Sequence, residues 1–199
     1  MNDVAETLSA VLDEVRARLA QAARDRRSPM HVPVVGTADG DLRVMVLRGC
    51  AADLSALRLH TDARSPKVAA IAANPAINLL TYDPDARVQI RLRGTARVEI
   101  HGPVADAAWA EASAFARRCY MIEAGPGTRL DAPGSGLPAA VAGKLPSADQ
   151  LLPARNNFAV ILVEPVQLDW LHLAHAGHRR AQFTRAAVGQ EWQGAWVVP

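Results

Sequence analysis

Residues 57–94 read LRLHTDARSPKVAAIAANPAINLLTYDPDARVQIRLRG, and this stretch decides the fold. Leu57-Arg58-Leu59-His60-Thr61 alternates apolar and polar side chains and predicts a short strand. Ser65-Pro66-Lys67 then opens a helix, with Ser suited to the N-cap and Pro to the first helical position, and the helix stops before Pro75. Ile77–Tyr82 and Val88–Ile100 read as strands separated by the turn Asp83-Pro84-Asp85. In the second of them Val88, Ile90 and Leu92 point one way while Gln89, Arg91 and Arg93 point the other, so that strand buries one face. Gly94 inside the run predicts a β-bulge or a close backbone approach.

Towards the N-terminus, Val4, Leu8, Val11, Leu12, Val15 and Leu19 recur at helical spacing, and Asp3 followed by Glu6 resembles a capping box. Residues 4 to about 25 therefore read as an amphipathic helix within an N-terminal segment, 1–28, ending in Arg24, Arg26 and Arg27. His31–Gly36 and Leu42–Arg48 read as two strands of a hairpin joined through Asp39-Gly40. Towards the C-terminus, Val104–Arg118 reads as a helix. Residues 121–156 hold too many glycines and prolines for one regular element, which predicts a long loop with at most one short helix. Phe158–Leu173, Arg180–Thr184 and Trp192–Val198 close the chain as strands. This order predicts one domain over 1–199, mainly β with peripheral helices (α+β), as an antiparallel barrel or sandwich.

Composition limits the function. Twenty-two Lys and Arg balance 20 Asp and Glu, a net charge of +2 that argues against a nucleic-acid footprint. Only Lys67 and Lys144 are lysines, as expected of a high-GC genome. Thirty-nine alanines and only 5% aromatics mean that much of the 50% apolar content is small side chains. No apolar run approaches the length of a membrane helix, and Cys50 and Cys119 are too few for a disulfide framework, which points to a cytoplasmic protein. His172, His175 and His178 form H-x-x-H-x-x-H, but neither a helix nor a strand gathers all three, so no metal site is expected.

The helix that opens at Ser65 offers unpaired N–H groups and a positive dipole end to an anion, and Arg64, Ser65 and Lys67 add donors around it. In its wider setting this segment resembles a known family. The order R-x-x-x-L-[KR]-G (Arg43 to Gly49), [YH]-T-[ND] (His60 to Asp62), S-x-K (Ser65 to Lys67) opening a helix that ends at Asn74-Pro75, and V-Q-[IV]-x-[LI]-x-G (Val88 to Gly94) is similar to the pyridoxamine 5′-phosphate oxidase family. The match covers residues 30–100 well and 155–199 more loosely.

The resemblance implies an antiparallel split β-barrel of the FMN-binding type, and a homodimer with FMN at the interface, acting as an oxidoreductase on a small-molecule substrate. Residue by residue it implies that Arg43 and Lys67 contact the FMN phosphate or ribityl region and that Ser65 caps the helix beneath the phosphate. The backbone of Val44, Met45 and Val46 would face the isoalloxazine edge. His60 and Thr61 stand at the family's Tyr-Thr pair, Arg48 at its lysine, and Gln89 at its flavin-contacting glutamine. Pro66 stands where many members have a phosphate-binding arginine, and Arg64 is the substitute expected. Asp169-Trp170 and His178-Arg179-Arg180-Ala181-Gln182-Phe183 are similar to the family's C-terminal segments, which adds Trp170 and Arg180 to the expected cofactor set; Gln182 occupies a position where an arginine is usual. Phe115–Ile122 lacks the Tyr, Arg and Ser that hold pyridoxamine phosphate, so oxidation of that substrate is not expected. The alternative is a non-catalytic dimer that stores or senses flavin or haem.

Overall fold

A computed structural model describes residues 5–199. Helix α1 spans Leu8–Arg24, and its Val11, Val15, Leu19 and Ala22 form one buried stripe. Thr7 caps it, its Oγ1 accepting from the Ala10 N–H at 3.1 Å. The capping box expected at Asp3 lies outside the described residues.

Nine antiparallel strands follow: β1 (Val34–Thr37), β2 (Leu42–Val44), β3 (Leu47–Cys50), β4 (Leu57–Asp62), β5 (Ala76–Asp83), β6 (Val88–Glu99), β7 (Phe158–His172), β8 (Arg179–Thr184) and β9 (Gln193–Val197). They run in the order β2-β1-β5-β6-β7-β4-β3, with β8 on the far half of β7 and β9 on β8. The expected strand 42–48 is broken into β2 and β3, which stand at opposite ends of that order yet are joined by only Met45 and Val46. Two residues can bridge two sheet edges only if the sheet curls until the edges meet. The meeting is visible in the backbone: Met45 N donates to Pro33 O at 3.0 Å and Leu47 N to His31 O at 2.9 Å. The chain is an antiparallel split barrel, and closing it leaves fewer open strand edges.

Gly94 is both a bulge and a close approach. The β6/β7 register shifts between Arg93 and Gly94, and Gly94 faces Pro165. A Cβ on Gly94 would lie 2.0 Å from Glu164 O. Pro165 cannot donate to a ladder, and a bulge is one of the few places a long central strand tolerates it.

Helices α2 (Pro66–Ala73), α3 (Pro103–Glu111), α4 (Ala114–Arg118) and α5 (Ala148–Leu151) lie at the periphery. The single helix expected over 104–118 is two, because Ser113 leaves helical geometry and caps α4 through the Ala116 N–H. The 121–156 region is irregular as expected, apart from 3-10 turns at its ends and α5. Among the described residues no helix is long and apolar enough to cross a membrane.

Candidate functional site

Strand register sorts the expected site residues into two groups. The first lies where β4 hands over to α2. Lys67 Nζ donates to Ser65 Oγ at 2.6 Å and Thr61 Oγ1 at 3.4 Å. Thr61 and Ser65 are both buried. Among the described residues Lys67 has no carboxylate partner, and partial burial together with the nearby positive charge of Arg43 draws its pKa below the usual lysine value. Arg43, on β2, donates to Thr37 Oγ1 at 3.0 Å and pairs with Asp41 in the hairpin turn. Sequence neighbours and distant strands thus place two cations and two hydroxyls beside the first turn of α2.

Two expectations change here. Ser65 stands at the N-cap but makes no side-chain cap hydrogen bond, because its oxygen is taken by Lys67. Arg64, the substitute expected for the missing phosphate arginine, is engaged elsewhere: Asp62 grips it at two points, 3.0 and 2.8 Å, and its remaining donors reach Glu123 O at 3.1 Å and Ile122 O at 3.0 Å. Arg64 straps the long loop to the end of β4. The buried Asp62 carboxylate holds its pKa above the usual value.

His60 lies beside this group, edge-on to Phe158 at 4.9 Å, with its Nε2 buried and without a hydrogen-bond partner. Burial, with Arg58 and Arg48 adding repulsion, pushes its pKa down to about 3, so the ring is neutral at pH 7. Arg48 is exposed, and its carbonyl accepts from Arg58 at 3.2 Å. Arg117 and Arg118 are spent on backbone carbonyls: Arg117 on Trp109 O and Ala110 O, Arg118 on Lys144 O.

The second group lies on the outward face of the sheet. The register aligns Tyr82, Gln89, Leu171 and Arg180 in one row, and Val44, Val34, Leu80, Arg91, Asp169 and Gln182 in the next. Asp169 is the hub of this face, accepting from Arg91 at 2.8 Å, Arg180 at 2.7 Å and Gln182 at 2.8 Å. A cavity of about 220 Å³ opens beside them. Sequence reasoning did not single out Asp169 or Arg91 as a pair; only the β6/β7 register makes them opposite neighbours.

Trp170 does not join this face. It sits between Ile90 and Ala181 on the core side and is 0% exposed. The reason is strand parity: Asp169 and Leu171 face outward, and the residue between them must face in. Its ring stacks on His172 at 6.1 Å. His175 and His178 lie exposed beyond the end of β7. Cys50 and Cys119 are free, and burial pushes the Cys50 thiol up to about 11.

The chain thus combines a curled antiparallel split barrel with a cationic, hydroxyl-lined helix start. Residues 14–100 match the family model described as pyridoxamine 5′-phosphate oxidase, FMN-binding domain. The chain is similar to a solved pyridoxamine 5′-phosphate oxidase-related, FMN binding protein from Nostoc punctiforme PCC 73102, with 25% identity and a TM-score of 0.70 over 99% of this chain and 100% of that one. It shares the fold of PhzG from Burkholderia lata 383, solved with tetrahydrophenazine-1-carboxylic acid, at 18% identity and a TM-score of 0.64 over 100% of this chain and 95% of that one. No curated protein matches the chain. The resemblance to the pyridoxamine 5′-phosphate oxidase-like family therefore holds over residues 14–100 and in the split-barrel fold of the whole.

Proposed function

We propose that this protein binds FMN as a homodimer and is an oxidoreductase acting on a small molecule. The observation that carries the reading is Lys67: a partly buried ammonium whose side-chain partners are two hydroxyls, its pKa drawn down by burial and by the nearby Arg43, while the neighbouring carboxylates Asp41 and Asp62 are ion-paired with Arg43 and Arg64 rather than with Lys67. A phosphate supplies the missing negative charge, and it lies at the start of a helix, where N–H groups and the dipole favour an anion. The residues present thus fit the phosphate end of the cofactor.

Arg43 and Lys67 would hold that phosphate, with Thr61 and Ser65 as neutral donors beside them. The strand break at Met45 and Val46 follows the exposed Val44; the Met45 N–H is already given to Pro33 O, which leaves the Val46 backbone at the break to face the flavin, and Gln89 offers a side-chain amide. FMN, when bound, supplies the hydride and electron chemistry; the protein's part is to hold it, tune its polarity and control access to it. Hydride transfer asks for no acid–base triad, so Asp169, Arg91, Arg180 and Gln182 are read as groups that orient a substrate or complete the pocket.

The pairing of two copies rests on the outward face. Leu42 and Val44 are 68% and 64% exposed, and Leu80 and Tyr82 continue the patch across β1 and β5. A contiguous apolar face on a curled sheet is the kind of surface a second copy covers. The two free cysteines suit a reducing, cytoplasmic setting.

Absorbance and mass together test the reading. Purified protein, loaded with FMN and separated by gel filtration, is expected to elute at twice the chain mass with flavin absorbance in the same peak. A colourless monomer that takes up no added FMN rules the proposal out.

A further inference from the structure

The 220 Å³ cavity on the outward face has Arg91, Arg93, Asp169 and Arg180 as its charged lining. Arg91 and Arg93 also line a second cavity of about 430 Å³, whose other walls include Val34, Leu42 and Leu80. Two arginines of β6 thus stand between a polar cavity and a largely apolar one. Both occupy positions at which the motif V-Q-[IV]-x-[LI]-x-G specifies no residue, so the family resemblance assigns them no role.

The charges in these walls do not balance. Among the described residues Asp169 is the only carboxylate lining either cavity, and it faces three guanidinium groups. Its Oδ2 accepts from Arg91 Nη2 at 2.8 Å, Arg180 Nη2 at 2.7 Å and Gln182 Nε2 at 2.8 Å, and its Oδ1 from Arg180 Nε at 3.2 Å. One carboxylate cannot neutralise two arginines, and the third is out of its reach. Arg93 is exposed, stands between the neutral amides Asn78 and Gln167, and has no ion pair among the described residues. Arg91 keeps its Nη1 free of any hydrogen bond among those residues.

We propose that the paired cavities take an apolar organic acid, its carboxylate received by Arg93 and the free edge of Arg91 and its body lying against Val34 and Leu80. A guanidinium presents parallel N–H donors that match a carboxylate, and Leu80 is the direct cross-strand neighbour of Arg91. A cationic ligand adds charge to walls that are already positive, and a neutral one leaves them unbalanced. Leu42 and Leu80 belong to the patch assigned to the second copy, so in the dimer the body lies between the copies, where exclusion of water strengthens the ion pair. The inference rests on the FMN reading only in making this acid the substrate: Gln89, the side chain expected at the flavin, is two residues from Arg91 on the same face of β6, about 7 Å along the strand.

Calorimetric titration of the full chain, with and without FMN, tests the site. The probes are 2-naphthoate and 2-naphthamide, which keeps the body and loses the charge. The expected result is saturable binding of naphthoate, at least about tenfold tighter than naphthamide, as for one charge-assisted contact. Arg93→Gln, a change at an exposed side chain, is expected to weaken naphthoate by about the same factor and to leave naphthamide affinity and flavin content unchanged. Absence of naphthoate binding, equal affinity for acid and amide, or a naphthoate affinity that Arg93→Gln does not alter overturns the site, even in protein that carries FMN. Arg93-dependent naphthoate binding by protein that takes up no FMN upholds the site and removes only its link to the flavin.

Discussion

Lys67 Nζ lies 2.6 Å from Ser65 Oγ, so the residue placed to cap α2 serves the side chain of the residue two positions on instead. The arrangement keeps a lysine pointed at the first turn of its own helix. It also leaves that helix without a side-chain cap, an end better suited to receiving an external anion.

Lys67→Ala and Arg43→Ala are each expected to weaken FMN binding by about ten- to a hundredfold, the equivalent of a charge-assisted hydrogen bond of about 1.5–3 kcal/mol. Arg64→Ala is expected to change it less than about threefold, since Asp62 and two loop carbonyls already occupy that guanidinium. Flavin fluorescence titration of the three variants checks the order; an Arg64 effect as large as that of Lys67 would contradict it.

Leu42→Asp with Val44→Asp puts two charges on the exposed apolar row, and an expected homodimer becomes a monomer of unchanged helical and strand content. Light scattering after gel filtration, with circular dichroism on the same peak, reads both properties.

The depressed pKa of His60 makes stability depend on pH. The folded ring stays neutral down to about 3. The unfolded ring takes a proton near pH 6.5, so the unfolded state binds more protons in between. The contribution is fully present above pH 6.5 and falls as the pH drops towards 3, by at most about 1.4 kcal/mol per pH unit. His60→Phe keeps an aromatic ring against Phe158 and is expected to flatten the loss of Tm between pH 6.5 and 4.5. A parallel pH profile in the variant would show that His60 does not titrate in that window.

Gly94→Ala is expected to destabilise the barrel by about 1–3 kcal/mol, because the new Cβ meets Glu164 O at 2.0 Å and the backbone at the bulge must move. Thermal melts are expected to show a fall in Tm of about 2–12 °C. An unchanged Tm would mean that β7 relaxes freely at Pro165.

What the sequence determined by itself was local. Period-2 alternation located β5 and β6, Ser65-Pro66 located the start of α2, Asp39-Gly40 located the hairpin, and Gly94 announced a bulge, because each depends on backbone sterics within a few residues. The motif order also pointed to the split barrel and to Arg43 and Lys67 as neighbours. Tertiary structure decided what depends on pairing. The break at Met45 and Val46 follows from barrel closure, which a strand pattern cannot express. Arg64 is diverted because Asp62 and loop residues 122 and 123 arrive beside it. Trp170 turned inward and Asp169 outward through the parity of β7 against β6 and β8, and one residue of register reverses every such assignment.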